Sequence, residues 1–321
     1  MLTTVLEQGP VYPGSTAAEA AAQIIDLGRR LAAFGYRRYW IAEHHGHRNA
    51  CPSPEALIAA VAGATSPALR IGAGAILLPY YQPRKVAATF RMLAGLYPGR
   101  IDLGVGRGPG ATAAVAAELG GDFDSYLGKL RALIDNLGAE RAAIARDGLE
   151  TWQMASGESG ITTAASHGLP VALAHFASPR ERPELPERYR DAFTAGFAPS
   201  PRVSLCVRVL CADEPGDLHR MAEHFLALAA GAGDVRWSDL DPGRGGAMPA
   251  LPAQVVCGLP HQVADRLAGL MRAYRPDELA VTTACQPYPL RVRCLELVAQ
   301  AACLAAGAPD RPEYRIEVPR Q

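Results

Sequence analysis

The regular alternation of short strand-like runs with longer helical patterns limits the fold of this chain more than any other feature of its sequence. Apolar runs bounded by Gly and Pro are typical of strands, and apolar residues three or four positions apart are typical of amphipathic helices. The predicted strands are Leu2–Glu7, Arg38–Ala42, Leu69–Leu78, Arg100–Gly106, Glu150–Ala155, Pro170–His175, Arg202–Ala212, Val255–Cys257 and Glu278–Thr283. The predicted helices are Thr16–Phe34, Pro54–Thr65, Pro83–Leu96, Asp124–Arg146, Ser159–His167, Asp217–Ala230, Pro260–Tyr274 and Pro289–Ala306. Between these elements, Pro179–Pro201 is proline-rich and charged, and Gly231–Ala253 predicts a long loop because it is rich in Gly and Pro.

About eight strands interleaved with helices predict a (β/α)8 TIM barrel. The competing α/β fold is a doubly wound open sheet. No Gly-x-Gly-x-x-Gly follows the first predicted strand, which weakens the dinucleotide-binding form of that sheet. We therefore expect a single barrel domain over residues 1–321, a length that suits one such barrel.

Charge and cysteine usage exclude several classes of protein. The chain has 32 Lys+Arg against 32 Asp+Glu, so it lacks the excess of positive charge with which nucleic-acid binders meet phosphates. The 7 cysteines are odd in number and form no Cys-x-x-Cys, which argues against a disulfide framework or a zinc site and predicts buried thiols. We find no basic leader with an apolar run and no apolar stretch long enough to span a membrane, so we expect a cytoplasmic protein.

Active sites of TIM barrels lie at the carboxyl ends of the strands, and the second predicted strand is followed by Glu43, His44 and His45. Because histidine titrates near neutral pH, a histidine there can move protons, and the adjacent carboxylate can orient a partner. Neighbouring residues of an extended chain point to opposite sides, so His44 and His45 do not form a two-histidine metal site. We expect no metal.

Two further segments predict an anion site. Arg107 lies in the glycine-rich run Gly104–Gly110 after the fourth strand, and its planar guanidinium suits a phosphate. The segment Ser156–Gly160 precedes a helix, whose first amides and nearby serine hydroxyls also bind anions. A Gly-Ser turn of this kind can be a simple helix cap. Because the two segments follow adjacent strands, together they favour one phosphate site.

These segments also resemble a known family. YWIAEHHG (Tyr39–Gly46) and the run from SPEALIAAV to PGRIDLGVGRGPG (Ser53–Gly110) resemble the bacterial luciferase-like monooxygenases, in the stand-alone rather than the light-emitting branch. The resemblance returns at Gly168–Pro170 and in Val256–Glu278. It covers the first 110 or so residues most densely.

The resemblance implies a flavin-dependent barrel that takes reduced FMN from a separate flavin reductase. It implies that the reduced flavin reacts with O2 to give a peroxyflavin, which oxygenates a small organic substrate, plausibly in specialised metabolism. Barrels of this family commonly pair, so a homodimer is expected. Two alternatives stay open: a non-catalytic barrel or partner subunit with weak or no flavin binding, and a deazaflavin-dependent oxidoreductase that transfers hydride without oxygen.

The resemblance assigns roles residue by residue. His44 matches the active-site histidine, and Glu43 matches a residue near the flavin ring. The other matched cofactor-binding residues are those of the ring support, where relatives hold a non-prolyl cis peptide, and those of the phosphate site: Ala73, Gly74 and Ala75, then Arg107, Ser156, Gly157, Ser159 and Gly160. Gly106 stands where the light-emitting subunits have a reactive cysteine, which argues against bioluminescence and puts Gly106 on the substrate side. His175, at the end of the sixth strand, is either a substrate-binding residue or a rim histidine with satisfied hydrogen bonds.

Two departures from the family pattern concern the cavity wall and the phosphate loop. The segment before the fifth strand is shorter than in typical relatives, by roughly twenty residues, and that segment helps to wall the cavity in the family. Glu158 puts a carboxylate inside the phosphate loop, where it repels an anion unless it points away.

Overall fold

The computed structural model describes residues 2–46, 48–178, 180–230, 235–240 and 248–305. Its strands are β1 (Leu2–Glu7), β2 (Arg38–Ile41), β3 (Arg70–Leu77), β4 (Ile101–Gly106), β5 (Glu150–Ala155), β6 (Val171–Ala174), β7 (Val203–Cys211), β8 (Val255–Gly258) and β9 (Glu278–Thr282). Its helices are α1 (Ala17–Phe34), α2 (Pro54–Ala64), α3 (Pro83–Leu96), α4 (Ala113–Glu118), α5 (Tyr126–Gly138), α6 (Arg141–Asp147), α7 (Glu158–Ser166), α8 (Leu185–Ala192), α9 (Pro215–Ala229), α10 (Pro260–Tyr274) and α11 (Tyr288–Ala305).

Eight parallel strands close into a barrel in the order β1 to β7, then β9, which pairs with β1. The ninth strand, β8, pairs only with the last residues of β7, from Arg208 to Cys211, beyond most of the stretch that pairs with β9. The predicted TIM barrel is confirmed, and the alternative of an open doubly wound sheet is wrong. The predicted extended stretch at Val255–Cys257 exists but does not belong to the closing ring.

Local sequence signals place the boundaries of the elements. Thr16 and Glu19 form a reciprocal capping box at the start of α1, which ends at Gly35 with a φ of 95°. Pro54 opens α2 within its first turn, where a missing amide costs nothing. The strands are buried on both faces, as parallel strands covered by helices must be. Small and aromatic residues fill the barrel interior, where the rings of Trp40 and Trp152 meet edge to face with centroids 5.3 Å apart.

An ionic network closes the amino-terminal end of the barrel. Arg38 donates to Asp102 at 2.7 Å and to Glu150 at 3.1 Å, and its Nε lies 3.3 Å from Glu278. Arg70 reaches the other oxygen of Asp102 at 2.6 Å. Each of these residues lies at or next to the first position of its strand. The charges at this end are thus paired with one another, away from the strand ends where the predicted site residues lie.

Two helical predictions need correction. The predicted helix Asp124–Arg146 is split into α5 and α6 by a break at Ala139–Glu140, and α4 precedes it unpredicted. The charged stretch Pro179–Pro201 contains α8, whose Pro186 lies in the first turn, where proline is compatible with a helix. The predicted loop Gly231–Ala253 lies partly outside the described residues, and its described part includes a single 3-10 turn, Trp237–Asp239.

Two findings bear on the environment of the chain. No helix among the described residues is long and apolar enough to cross a membrane. All of the cysteines lie in the described part of the chain and are free thiols, and most of them are buried.

Candidate active site

Backbone hydrogen bonds fix the segment that follows β2. The amide of Glu43 donates to the carbonyl of Ala75 at 3.2 Å, that of His44 to Cys51 at 3.1 Å, and that of His45 to Gly110 at 2.8 Å. Three consecutive residues are therefore tied to three different parts of the barrel mouth. Such a segment presents its side chains in one arrangement, which preorganised catalysis requires.

The carboxylate of Glu43 accepts three hydrogen bonds that fix this segment. One oxygen accepts hydrogen bonds from the Tyr81 hydroxyl at 2.8 Å and from the ring of His45 at 2.6 Å, and the other accepts from the amide of Leu77 at 2.8 Å. Burial raises the pKa of Glu43, while these hydrogen bonds act in the opposite direction. The Glu43 side chain connects the ends of β2 and β3 by hydrogen bonds. Its role in this structure is therefore to position the residues around it.

The two histidine rings face different partners, as alternation along an extended chain predicts. His45 contacts Glu43 and meets the ring of Tyr80 edge to face at 5.4 Å. His44 instead has its Nδ1 3.3 Å from the carbonyl of Gln8, at the end of β1. Burial lowers the pKa of His44, so the neutral imidazole predominates at neutral pH and can accept a proton.

His44 lines a cavity of about 340 Å³ at the barrel mouth. The cavity is lined by Gln8, Pro10, Val11, Tyr12, Pro13, His44, Arg48, Asn49, Arg208, Phe225, Leu228, Ala229 and Ala284. Most of the lining is apolar, and the polar groups are concentrated near β1, β2 and β7. A few convergent polar groups in an apolar cleft are typical of a small-molecule site.

The strand predicted to support a flavin ring has the expected backbone. The peptide bond between Gly74 and Ala75 is cis, as the resemblance implies. A Cβ on Gly74 would lie 2.8 Å from Leu6 and 2.9 Å from Trp40, so only glycine fits there. On the neighbouring strand, a Cβ on Gly106 would lie 3.3 Å from the Cβ of Ala75. The small residues of β3 and β4 therefore adjoin at the mouth of the barrel.

The predicted anion site consists of hydrogen-bond donors. Arg107 is exposed at the end of β4 and makes no hydrogen bond or ion pair with any residue that the structure describes. Gly157 caps α7 without a side-chain hydrogen bond, and the first amide to find an intrahelical acceptor is that of Ile161, at 3.2 Å. The amides before it, with the hydroxyls of Ser156 and Ser159, are available to an anion. This donor set fits a phosphate dianion.

Glu158 does not oppose that site. Its carboxylate accepts from Arg188 at 2.6 Å and from Arg182 at 3.4 Å. Both arginines belong to α8 or the loop before it. The carboxylate is directed toward this neighbouring element, and its charge is balanced there.

His175 does not lie among the residues that line the cavity. It is buried at the end of β6, meets the ring of Tyr274 edge to face at 5.4 Å, and has its Nε2 3.9 Å from Glu181. Neither ring nitrogen has a hydrogen-bond partner among the described residues. The substrate-binding role of His175 stays a prediction.

Sequence reasoning missed Arg208. It lies on β7 at the cavity, where it donates to the side chain of Gln8 at 3.3 Å. The alternation of side chains along a strand could have revealed it. In VSLCVRVLC, Ser204, Cys206 and Arg208 point to the same face of β7, and Arg208 is the only charged residue of the strand.

A closed parallel barrel with a histidine, a buried carboxylate and an exposed arginine at the carboxyl ends of its strands has the architecture of TIM-barrel enzymes. Residues 2–275 match the family model described as luciferase-like monooxygenase. The chain belongs to the luciferase-like monooxygenase family, and the resemblance found in the sequence is confirmed. A relative from Escherichia coli (strain K12), named luciferase-like monooxygenase, is 28% identical over 325 residues, covering 92% of this chain and 95% of that protein.

Solved structures extend the comparison. Apo-MsnO8 has a TM-score of 0.82 at 34% identity, covering 97% of this chain and 99% of its own. The oxygenating constituent of 3,6-diketocamphane monooxygenase from Pseudomonas putida, in complex with FMN, has a TM-score of 0.66 at 18% identity, covering 97% and 99%. The coenzyme F420 dependent tetrahydromethanopterin reductase from Methanopyrus kandleri has a TM-score of 0.64 at 15% identity, covering 93% and 97%. The last two likenesses concern the fold alone.

Proposed function

We propose that this chain is the oxygenating component of a monooxygenase that uses reduced FMN and O2 to oxygenate a small organic substrate. The observation that carries the proposal is that Arg107 and the start of α7, which has no side-chain cap, follow the paired strands β4 and β5. These donors lie at the ends of β4 and β5, on the same rim of the barrel as His44. Arg107 and the start of α7 would hold the phosphate of FMN, and the small residues of β3 and β4 would support its isoalloxazine ring.

Reduced FMN supplies two electrons, so that one oxygen atom enters the substrate and the other leaves as water. The chain holds the reactants and manages protons. Arg107 and the α7 amides would hold the phosphate, and Ala73, Gly74 and Ala75 of β3 would support the ring beside Gly106 of β4. The neutral imidazole of His44 accepts or returns a proton at the reacting centre. Glu43 acts on the reaction by fixing the segment that carries His44.

The proposal includes three associated expectations. A separate flavin reductase delivers the reduced FMN, since none of the described elements adds a second cofactor domain to the barrel. The free thiols support a reducing, cytoplasmic compartment. A homodimer is supported by an exposed apolar stripe on α3, where Met92 is 60% and Leu96 is 63% exposed.

Stopped-flow mixing tests the proposal. The chain is incubated anaerobically with reduced FMN and then mixed with oxygenated buffer. We expect a transient absorbing species that differs from both reduced and oxidised FMN and that decays faster when substrate is present. No association with FMN in either redox state would overturn the proposal.

The same preparation separates the two alternatives. Tight binding of coenzyme F420, on which the Methanopyrus kandleri neighbour depends, without affinity for FMN favours the deazaflavin-dependent alternative. Binding of FMN with no transient species and no product favours a non-catalytic barrel.

A further inference from the structure

The guanidinium of Arg208 lines the cavity, where it donates a hydrogen bond to a neutral side chain. One terminal nitrogen donates to the side-chain oxygen of Gln8 at 3.3 Å, while Nε is buried and has no partner among the described residues. The guanidinium carbon lies 5.4 Å from the ring centre of Phe176 and 5.3 Å from that of Phe225. Two aromatic rings thus hold the planar group in a fixed orientation, a contact suited to arginine because it is weakly hydrated.

The two buried arginines among the described residues have carboxylate partners. Arg38 pairs with Asp102 at 2.7 Å, and Arg291 pairs with Glu7. Arg208 pairs with no carboxylate in the described part of the chain, and the residues that line its cavity include no Asp or Glu. Burial lowers the pKa of Arg208, which reflects the cost of keeping its charge away from water. A half-buried cation with a buried, unpaired Nε gains from an anion that arrives with the ligand.

The position of Arg208 separates it from the proposed phosphate site. In the ring of eight strands, β7 lies opposite β3. The proposed flavin phosphate lies at β4 and β5, on the β3 side. The cavity on the Arg208 side is walled by Phe225, Leu228 and Ala229 of α9.

We infer that this cavity takes an organic acid, whose anionic group binds Arg208 and whose apolar body lies against α9. The inference rests on the proposed function in treating the cavity as the substrate site. A carboxylate accepts two parallel hydrogen bonds from one guanidinium, which fixes the orientation of the molecule as well as its affinity. His44 lines the same cavity, so an acid anchored at Arg208 keeps its body within reach of the imidazole.

Calorimetric titration of the purified chain with a matched pair of ligands tests the inference. The probes are 4-phenylbutyrate and its methyl ester, and 4-phenylbutanesulfonate distinguishes carboxylate from sulfonate recognition. We expect the acids to bind about tenfold or more tightly than the ester, the ratio that one hydrogen bond to a charged group provides. In Arg208→Gln this preference disappears while the affinity for the ester changes little. In Arg208→Lys, which keeps the charge but loses the fork, part of the preference returns.

Two controls make the result specific. Arg131→Gln removes an exposed arginine of α5, 71% of whose side chain is accessible, and leaves the preference unchanged. Arg107→Ala shows whether the acid binds the phosphate site instead. A preference that survives Arg208→Gln but is lost in Arg107→Ala overturns the inference, and so does equal affinity for acid and ester, or no binding of the acids, in the unaltered chain. Thermal unfolding of each variant verifies that it is folded.

Failure of the inference is distinguishable from failure of the proposed function. If FMN binds and is used but the acid preference is absent, only the organic-acid inference falls. If the acid preference depends on Arg208 but no flavin binds, the monooxygenase proposal falls and the acid site stands.

Discussion

The protonation state of His44 follows from its surroundings. The ring is half-buried at the cavity, with Nδ1 near a backbone carbonyl, and burial lowers its pKa below the ordinary imidazole value. A group that must be neutral to accept a proton therefore has the required form at neutral pH. The two neighbours of His44 in the chain, Glu43 and His45, are hydrogen-bonded to each other. Of these three residues, only His44 lines the cavity.

We predict that His44→Ala lowers product formation by about 10²-fold or more, the usual contribution of a positioned acid or base. The Kd for FMN stays within about twofold, because the proposed phosphate donors lie on other strands. Product is measured by single turnover with a set amount of reduced FMN, and FMN affinity by fluorescence titration. His261→Ala, an exposed histidine of α10, is the matched control. Unchanged turnover in His44→Ala would remove the ring from the mechanism.

His224 permits a prediction about stability. Its Nε2 lies 2.7 Å from the side-chain nitrogen of Gln286, which donates to the neutral ring, and burial lowers its pKa to about 4. Because the unfolded chain takes up this proton at about pH 6.5, the stabilisation is complete above that pH and declines as the pH falls toward 4. Between about pH 7.5 and about pH 5 the loss from this group is about 2 kcal/mol.

Urea unfolding at these two pH values measures that loss. The unaltered chain loses about 2 kcal/mol more on acidification than His224→Gln does. His261→Gln behaves like the unaltered chain. Equal losses in the unaltered chain and in His224→Gln would contradict the assignment.

Residues differ in how far the sequence reveals them. Arg107 and His44 are detectable because each follows a strand and a motif marks it. Arg208 carries no motif, and its importance arises from Phe176 and Phe225, which come from other elements and meet it only in the fold. Similarly, the sequence alone places the Glu158 carboxylate unfavourably for an anion, and its partner Arg188 comes from α8, which meets it only in the fold.

At the scale of elements, the proposed phosphate site depends on two adjacent strand ends. The end of β4 carries Arg107, and β5 leads into α7, whose first amides have no side-chain cap. Register pairs Val105 with Gln153, which brings the two strand ends to one point of the rim. Helix α8 was missed because charged and proline-rich residues obscure its periodicity, although Leu185, Pro186 and Tyr189 are buried.

We predict that Arg107→Ala weakens FMN binding by about tenfold or more while riboflavin, which has no phosphate, changes by less than about twofold. The difference between the two ligands isolates the phosphate from the ring. Fluorescence titration of both flavins measures it, with Arg131→Ala as the control for removal of one surface charge. Equal losses for FMN and riboflavin would place Arg107 away from the phosphate.

The ionic network at the amino-terminal ends of the strands is expected to contribute to stability and not to flavin binding. Asp102 is fully buried and accepts from Arg38 and Arg70 as well as from the indole nitrogen of Trp40 at 2.8 Å. Removing its carboxylate leaves the guanidinium groups of Arg38 and Arg70 with Glu150 as their one remaining shared partner among the described residues, at side chains that are 9% and 19% exposed. We predict that Asp102→Ala lowers the free energy of unfolding by about 3–5 kcal/mol and leaves the FMN Kd unchanged. Asp135→Ala, on the outer face of α5, is the matched control in urea unfolding. A loss comparable to that of the control would mean that the network contributes little.

At the scale of the whole molecule, the alternation of strands and helices predicts a parallel sheet covered by helices, and about eight strands without a Gly-x-Gly-x-x-Gly favour a closed barrel over an open sheet. It does not predict which strand is left out of the ring. Val255–Gly258 and Glu278–Thr282 are both short and apolar, and only their pairing with opposite ends of β7 separates them. The pairing of strands depends on contacts between residues far apart in the chain, and the hydrophobic periodicity of the sequence does not reveal such contacts.

Two exposed apolar residues of α3 indicate a surface through which we expect two copies of the chain to pair. Met92 and Leu96 are one helical turn apart and are 60% and 63% exposed, an arrangement that a second copy would cover. We predict that the unaltered chain sediments as a dimer and that the double substitution Met92→Lys with Leu96→Lys weakens dimerisation by about tenfold or more. Sedimentation velocity over a range of concentrations measures this, and Leu119→Lys, after α4, is the control. A monomer at every concentration, or a double variant that pairs as well as the control, would contradict pairing through this face.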